Sequence, residues 1–277
     1  MANKTVLITG ASDGIGAAAA RQLSALGERV IIVGRSPEKT RQVANELDAP
    51  HHVADFQDLE QVKALAATLL KEYPQIDVLA NNAGGIFTEV TTKDEFDKTF
   101  QVNHLAPFLL TELLMDRLIA SNASVIQTTS NAAKMFGKID IDDLNNTGKW
   151  SANKAYGDAK LANILFTKEL QTRYGNMGIA AACFHPGGVA TGFASDTSSW
   201  MRHIVRNPIG RRLMLITPDK GAETLTWLAE GTPGQTWQPG EFYEKKKATP
   251  ANKLNPQSND ADLARRLWER SEKMLRA

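Results

Sequence analysis

The chain has 277 residues, of which 42% are hydrophobic and 23% are charged, as is usual for a globular protein with a large core. Its net charge of +1 excludes a strong overall field that would attract nucleic acid or an anionic membrane. A single cysteine, Cys183, leaves no partner for an internal disulfide, and the five histidines lack the spacing of metal ligands. No signal peptide precedes the first predicted strand, and no run of about 18 apolar residues predicts a membrane span. We therefore expect a cytoplasmic protein without a metal site.

A glycine-rich turn follows the first predicted strand, Thr5 to Thr9. The turn consists of Gly10, Ala11, Ser12, Asp13, Gly14, Ile15 and Gly16, and an alanine-rich helix follows from Ala17 to Leu26. Glycines between a strand and a helix allow the backbone to approach a pyrophosphate, which the N–H groups at the helix start attract. A plain left-handed turn is the alternative. The spacing Gly-x-x-x-Gly-x-Gly also differs from the Gly-x-Gly-x-x-Gly of the commonest dinucleotide-binding fingerprint.

Arg35 follows the second predicted strand, Arg29 to Val33, at a place where an NAD-binding domain usually has an acidic residue. A guanidinium there suits a 2′-phosphate, which favours NADP(H) over NAD(H). A solvent-exposed arginine at a strand end is the alternative. Asp13 argues against the phosphate interpretation, since a carboxylate near the phosphates would repel them unless it faces solvent.

Further strands alternate with helices along the rest of the chain. The predicted strands are His52 to Phe56, Ile76 to Ala80, Ser124 to Ser130 and Ile179 to Phe184, and the predicted helices include 37–47, 57–71, 92–121 and 260–276. This alternation predicts an α/β fold, a doubly wound Rossmann-type parallel sheet with helices on both faces, in one domain over 1–277. Ligands bind at the carboxyl ends of such strands, where Gly10, Arg35, Asp55, Asn82, Ser130 and Pro186-Gly187 would lie.

Tyr156 and Lys160 are four residues apart in a long predicted helix, so both side chains would project from one face. A nearby ammonium favours the phenolate and lowers the pKa of a tyrosine, which makes the pair a candidate acid/base catalyst for an alcohol or carbonyl oxygen. The alternative is one core aromatic residue beside one solvated charge.

Taken in chain order, these motifs resemble those of the short-chain dehydrogenase/reductase family. They are Thr9-Gly10-x-x-x-Gly14-Ile15-Gly16, Asn81-Asn82-Ala83-Gly84, Ser130, Tyr156-x-x-x-Lys160 and Pro186-Gly187, and the resemblance covers roughly residues 4 to 245. Two further stretches, Ala155 to Leu170 and Ala264 to Glu269, are similar to the retinol-dehydrogenase-like branch of that family.

The resemblance implies roles for particular residues. Tyr156 would be the general acid/base, Lys160 would lower its pKa and hold the nicotinamide ribose, Ser130 would position the substrate oxygen, and Asn103 would orient a water relay. The implied cofactor-binding residues are Gly10, Ser12, Asp13, Gly14, Ile15 and Gly16 in the phosphate turn, Arg35, Asp55 and Phe56 near the adenosine, Asn82, Ala83 and Gly84 along the adenine and ribose, and Pro186, Gly187, Val189 and Thr191 over the nicotinamide.

Some features set this chain apart within the family. Ser130 and Tyr156 are 26 positions apart, so an insert from Phe136 to Asn153 would border the site. Thr129 is the fallback for Ser130, because Thr128-Thr129-Ser130 offers three hydroxyls. Animal retinol dehydrogenases often carry an N-terminal membrane anchor, which we do not expect in this protein, so a retinoid substrate does not follow.

The segment 191–217 is expected to form a substrate lid. It contains large apolar residues with arginines between them, among them Phe193, Trp200, Met201 and Leu213. As a lid it predicts an apolar or aromatic carbonyl compound as substrate, whereas a helical pair packed on the body or on another subunit is the alternative. Residues 241–277 would form a C-terminal extension, in which Lys245 to Lys247 is a solvated loop.

The sequence therefore predicts an NADP(H)-preferring oxidoreductase that transfers a hydride between nicotinamide and a carbonyl compound or secondary alcohol. The alternatives are a non-catalytic nucleotide sensor or scaffold of the same fold, and a nucleotide-sugar epimerase or dehydratase, against which the short tail after residue 240 argues. The expected partner is a small-molecule substrate, with no nucleic acid or membrane, and the family suggests a homodimer or homotetramer.

Overall fold

Short apolar runs rich in β-branched residues form the strands of the sheet. The computed structural model describes residues 3–148, 150–188 and 216–276. In this part of the chain the strands are β1 (Thr5–Thr9), β2 (Arg29–Gly34), β3 (His51–Val53), β4 (Val78–Asn81), β5 (Ser124–Thr128), β6 (Ala180–His185), β7 (Phe242–Glu244) and β8 (Lys247–Ala248). They form one sheet in the order β3-β2-β1-β4-β5-β6-β7-β8, and each neighbouring pair is parallel except β7 and β8.

Amphipathic segments between the strands form the helices. They are α1 (Gly14–Ala25), α2 (Pro37–Leu47), α3 (Leu59–Glu72), α4 (Lys98–Phe100), α5 (Ala106–Ala120), α6 (Ala132–Met135), α7 (Ala152–Tyr174), α8 (Pro218–Glu230) and α9 (Ala261–Arg276). A π-helical turn, Gln101–Leu105, joins α4 to α5. Polar side chains cap several helix starts: Ser36 accepts from Lys39 N, Asp58 from Glu60 N and Gln61 N, and Ser151 from Lys154 N.

The sheet separates two cores, as the alternation along β1 shows. Val6 and Ile8 pack with apolar residues of α1, α2 and α8, whereas Leu7 packs with residues of α3 and α5. Helices therefore cover both faces of the sheet, and the doubly wound α/β fold predicted from the sequence is confirmed.

The predicted helix over 92–121 is wrong at its start. Thr91 and Asp97 form an isolated bridge, and helical structure begins only at Lys98, where the Asp97 carboxylate accepts a hydrogen bond of 2.8 Å from Phe100 N. Pro107 is the second residue of α5, which directly follows the π-helical turn. Strand β3 ends at Val53, so Asp55 and Phe56 follow the strand instead of completing it.

The hairpin of β7 and β8 is not evident in the sequence. Lys245 and Lys246 form its turn with φ angles of 51° and 62°, a left-handed conformation that apolar strand patterns do not reveal. The predicted loop over Lys245 to Lys247 is therefore shorter, because Lys247 opens β8. None of the helices described here combines the length and hydropathy required to cross a membrane.

Candidate active site

The glycine-rich turn lies where the order of strands reverses, between β1 and β4. Gly10 and Gly14 have φ angles of 66° and 54°, which a side chain would strain. A Cβ on Gly10 would lie 2.8 Å from Ala83 Cα, and one on Gly16 would lie 2.3 Å from Gly10 O. Asn82 holds the same turn, because its Nδ2 donates to Thr9 O at 3.0 Å. The turn therefore packs closely against the Asn81-Asn82-Ala83-Gly84 segment because Gly10 and Gly16 have no side chains.

The start of α1 presents free backbone donors. No described residue accepts a hydrogen bond from the N–H groups of Ile15 and Gly16. Asp13 caps the helix by accepting from Gly14 N at 2.7 Å, and its other oxygen pairs with Lys39 Nζ at 2.8 Å. That hydrogen bond from Lys39 is the main cause that lowers the pKa of the Asp13 carboxyl. Asp13 is exposed and neutralised, so it does not exclude a pyrophosphate from this turn, and the donors fit one.

Arg35 lies at the end of β2 with its side chain exposed, and it forms no ion pair with any described residue. Ser12 is close by, because a Cβ on Gly34 would lie 2.7 Å from Ser12 Cβ. Asp55 is half-buried and accepts from Gln57 N at 3.0 Å. The Phe56 side chain is 4% exposed and packs in the core against α3, so the predicted adenine contact at Phe56 could come only from its backbone.

Tyr156 lies in the first turns of α7 and is 6% exposed. Its phenol forms a hydrogen bond with the side chain of Ser130, which follows β5. Thr129, the fallback for Ser130, is committed elsewhere, since its hydroxyl donates to Lys160 O at 2.8 Å. The structure therefore pairs Tyr156 with Ser130.

Lys160 is 2% exposed, one turn beyond Tyr156 on the same face of α7. Its Nζ lies 5.6 Å from the centre of the Tyr156 ring and donates to Thr128 O at 3.0 Å. Burial lowers the pKa of Lys160 to about 7. A Cβ on Gly84 would lie 3.2 Å from this Nζ, so glycine at position 84 keeps the approach to the lysine open.

The structure does not show the expected lowering of the Tyr156 pKa by Lys160. Burial raises the pKa of Tyr156, and the hydrogen bond from Ser130 only partly opposes it. The Lys160 ammonium is directed at the Thr128 carbonyl instead of the phenol oxygen. A phenol in these surroundings stays protonated at neutral pH, which suits a proton donor.

Asn103 lies in the π-helical turn and is fully buried. Its Nδ2 donates to Gly85 O at 2.8 Å and to Thr99 O at 2.7 Å, while its Oδ1 accepts from Gly85 N at 3.2 Å. The side chain thus joins the turn to the segment after β4, and Tyr156, Lys160, Ser130 and Asn103 all lie near the carboxyl edge of the sheet.

Sequence reasoning missed an apolar cluster around the phenol. Ile86, Ala152 and Tyr156 form it, with Ala132 and Trp150 packed against them. Trp150 Nε1 donates to Asp97 Oδ2 at 2.9 Å, which fixes the indole. No pattern in the sequence pairs residues 97 and 150, since they meet only because the insert folds back on α4.

The insert from Phe136 to Asn153 is held by its neighbours at several points. Lys138 N donates to Asp158 Oδ1 at 2.7 Å, and Ile139 forms two hydrogen bonds with the Gln257 side chain, of 2.9 and 3.0 Å. The expectation that it borders the site agrees with the position of Trp150 beside the cluster that includes Tyr156.

Part of the predicted nicotinamide contact lies outside the described residues. Val189, Thr191 and positions 191–215 of the predicted lid are not described. Pro186 and Gly187 follow β6, and a Cβ on Gly187 would lie 2.8 Å from Ile216 Cδ1. Within the ranges that are described, no cluster of three or more histidine, cysteine or acidic side chains could hold a metal ion.

Known proteins share both the sequence and the fold. The profile of the short chain dehydrogenase family matches residues 4–202. A Streptomyces sp. (strain C5) protein whose name describes a daunorubicin C-13 ketoreductase is 42% identical over 97% of this chain and 91% of its own. Human retinol dehydrogenase 13 is 35% identical over 98% of this chain and 84% of its own.

Solved structures agree with this likeness. A Mycobacterium paratuberculosis protein superposes with a TM-score of 0.77 at 30% identity, over 100% of this chain and 94% of its own. A Brucella melitensis 3-ketoacyl-(acyl-carrier-protein) reductase solved with NADH has a TM-score of 0.68 at 25% identity, over 87% and 96%. An Escherichia coli CFT073 short chain dehydrogenase solved with NADPH has a TM-score of 0.64 at 27% identity, over 83% and 91%. The chain therefore belongs to the short-chain dehydrogenase family, in its retinol-dehydrogenase-like branch, and is an oxidoreductase that transfers a hydride with a nicotinamide cofactor.

Proposed function

We propose that this protein interconverts a carbonyl compound and a secondary alcohol, with Tyr156 as the general acid/base. The observation that carries the proposal is the hydrogen bond between the Tyr156 phenol and Ser130, one helical turn from the buried Lys160. A non-catalytic sensor would need none of these groups.

The residues divide the chemistry between them. A bound nicotinamide supplies or accepts the hydride. The Ser130 hydroxyl orients the substrate oxygen toward Tyr156, whose phenol donates its proton as charge develops on that oxygen. Lys160 Nζ lies 5.6 Å from the centre of the Tyr156 ring, and a positive charge at that distance would favour the phenolate that remains. Burial raises the pKa of Tyr156, which favours the protonated form and hence the direction of carbonyl reduction.

A preference for NADP(H) is the second part of the proposal. It is supported by the exposed guanidinium of Arg35 at the end of β2 and by the ion pair that neutralises Asp13 through Lys39. A guanidinium at this place suits a 2′-phosphate, whereas NAD-binding domains usually have an acidic residue there.

An apolar or aromatic substrate is the third part. Ile86, Ala132, Trp150 and Ala152 give the surroundings of the Tyr156 phenol an apolar wall. The names of the two relatives describe a daunorubicin C-13 ketoreductase and a retinol dehydrogenase. The retinoid itself is not implied, since a wall of this kind recognises shape and apolar surface.

The test is a cofactor titration followed by a turnover screen. We expect NADPH to bind more tightly than NADH by cofactor fluorescence, and aromatic ketones and aldehydes to be reduced with NADPH. Tyr156→Phe should bind NADPH as the unchanged protein does and lose turnover by roughly 100-fold or more, the order of a general-acid contribution. Normal turnover by Tyr156→Phe would refute the proposed role, and tighter NADH binding would refute the proposed preference.

A further inference from the structure

His104 is a polar residue inside an aromatic cage. It is 1% exposed and lies next to Asn103 in the π-helical turn, with the rings of Phe100, Phe108 and Phe166 at centroid distances of 5.0, 6.0 and 6.2 Å. Burial lowers its pKa to about 4, so the imidazole is neutral at physiological pH. A buried neutral imidazole requires one donor and one acceptor among its neighbours.

The two ring nitrogens of His104 meet partners on two different helices. Nδ1 lies 3.4 Å from Asn163 Oδ1 on α7, and Nε2 lies 3.0 Å from Ser271 Oγ on the C-terminal helix α9. Asn163 and Ser271 are 2% and 0% exposed. An amide oxygen only accepts, so Nδ1 carries the proton, Nε2 accepts, and the Ser271 hydroxyl donates.

Asn163 continues the same chain toward the active site. Its Nδ2 donates to Thr128 O at 3.4 Å, which also confirms the orientation of the amide, because the opposite one would bring two oxygens together. The Thr128 carbonyl is the group to which Lys160 Nζ donates at 3.0 Å. Every donor in the series Ser271, His104, Asn163 therefore points toward the carbonyl that holds the lysine.

We propose that Ser271, His104 and Asn163 are positioning residues through which the C-terminal helix α9 fixes the Thr128 carbonyl and, with it, the ammonium group of Lys160. The importance of this for catalysis rests on the proposed role of Lys160. A carbonyl held by Asn163 keeps one lone pair aligned with Lys160, so the lysine is placed before substrate arrives and needs no rearrangement during the reaction. The series reaches the Thr128 carbonyl from the C-terminal helix α9 by way of His104 and Asn163.

The first experiment requires neither substrate nor cofactor. Side-chain NMR of labelled lysines, with the Lys160 signal assigned by its loss in Lys160→Met, measures the titration of Lys160. In Ser271→Ala the Thr128 carbonyl is held less firmly, so we expect the ammonium to be less favoured and Lys160 to titrate at lower pH. Lys160 is faced by the Tyr156 ring, the Thr128 carbonyl and the neutral His104, and Ser271→Ala changes the charge of none of them.

Ser258→Ala is the matched control. Ser258 is also 0% exposed and lies in the same C-terminal extension, but its hydroxyl donates to Asn255 O at 2.6 Å instead of to His104. We expect Ser258→Ala to leave the Lys160 titration unchanged. An equal Lys160 titration in Ser271→Ala and Ser258→Ala would overturn the proposal, whatever the substrate of the enzyme is.

The second experiment measures turnover with a substrate from the screen. We expect Ser271→Ala to lower kcat by roughly threefold to tenfold, the range for one uncharged hydrogen bond, with an unchanged KM. His104→Phe keeps the aromatic packing and removes the link between Ser271 and Asn163, so adding Ser271→Ala to it should cost nothing further. Additive losses in the double variant would contradict a shared route. If no compound is turned over, the proposed function fails, and the NMR comparison still decides this inference.

Discussion

Arg35 is an exposed guanidinium at the end of β2, and its counterpart in an NAD-binding domain would be acidic. We predict that Arg35→Ala weakens NADPH binding by roughly tenfold, because a charge-assisted hydrogen bond to the 2′-phosphate is lost, and leaves NADH binding unchanged. Fluorescence titration with both cofactors measures the effect, and added salt should reduce it. Arg41→Ala removes another exposed arginine from α2 and should change neither affinity. Equal losses for NADPH and NADH would contradict the assignment.

Gly84 is tightly enclosed on one side. A Cβ there would lie 2.4 Å from Asn103 Oδ1, closer than a side chain tolerates, and 3.2 Å from Lys160 Nζ, a tight contact. We predict that Gly84→Ala displaces the Asn103 amide and lowers kcat by at least roughly tenfold, since misplaced catalytic groups lose rate steeply.

Gly148→Ala is the control for this change, because among the described residues its Cβ would meet only Asp143 Oδ2, at an ordinary contact distance of 3.5 Å. Steady-state kinetics and the melting temperature of both variants separate a local displacement from general unfolding. A Gly84→Ala protein with unchanged kcat would show that Asn103 has room to move without consequence.

The sequence predicted individual site residues where a motif repeats a known order, and missed those that depend on contacts between distant segments. The contact between β5 and α7 brings Ser130, Tyr156 and Lys160 together, and their catalytic roles stay predictions. The sequence did not reveal that Lys39 neutralises the Asp13 carboxylate, because the two residues are 26 positions apart. The hydroxyl of Thr129 donates to the Lys160 carbonyl, which leaves Ser130 to pair with the phenol. No sequence pattern shows that hydrogen bond.

The insert before α7 contributes Trp150, whose indole N–H is held by the buried Asp97 carboxylate at the start of α4. If Trp150 forms part of the substrate wall, Trp150→Leu should raise KM for a bulky aromatic ketone by roughly tenfold, because stacking and apolar contact are lost, and affect a small aliphatic ketone much less. Trp150→Phe keeps a ring and should lie between the two.

Trp227→Leu serves as the control for Trp150, because Trp227 is a partly buried tryptophan of α8 that packs against the cluster on the opposite face of the sheet. It should leave the ratio of the two KM values unchanged. A uniform change in KM for both ketones in Trp150→Leu would indicate that Trp150 only holds the insert in place.

The segment before α9 clamps the loop that follows Ser130. Asn255 is 5% exposed, and its Nδ2 donates to Ala133 O at 2.7 Å and to Gly137 O at 2.8 Å. We predict that Asn255→Ala lowers the free energy of unfolding by about 2 kcal/mol, because one buried and one partly buried carbonyl lose their donor. Urea denaturation measures this, and Asn259→Ala, which removes an exposed amide, should cost less than about 0.5 kcal/mol.

The elements themselves were predicted where periodicity is strong. Helix α2 has the predicted bounds, and the first six strands lie within a few residues of their predicted positions. The error at 92–97 has a local cause, because the Asp97 cap and its bridge to Thr91 compete with helix for the same residues. Strands β7 and β8 are three and two residues long, too short for an alternating pattern to be distinguished.

The C-terminal helix α9 packs against helices α5 and α7. Trp268 of α9 is 2% exposed and packs on Phe108 of α5 and Phe166 of α7, with ring centroids 4.9 and 5.5 Å away. The same helix supplies Ser271 to His104. The C-terminal extension therefore belongs to the core that supports the active site, and its stability and the geometry of the site depend on the same buried contacts.

His104 makes that core sensitive to acid. Its pKa is lowered by burial from 6.5 to about 4, so between these values the unfolded chain binds a proton that the folded chain does not. Stability from this residue is fully present above pH 6.5 and is lost as the pH falls toward 4, by roughly 3 kcal/mol in all. Asp97, Asp158 and Glu112 act in the opposite direction, because burial raises the pKa of each carboxyl.

Replacing His104 isolates its contribution from those carboxyls. We predict that the free energy of unfolding of His104→Phe, measured by urea denaturation between pH 7 and pH 4.5, falls less steeply with acid than that of the unchanged protein. The variant loses stability at pH 7, where its hydrogen bonds to Asn163 and Ser271 are missing, and recovers relative to the unchanged protein as the pH falls. His51→Gln, at an exposed position of β3, should leave the slope as it is. Parallel pH curves for His104→Phe and the unchanged protein would show that His104 becomes protonated without unfolding the core.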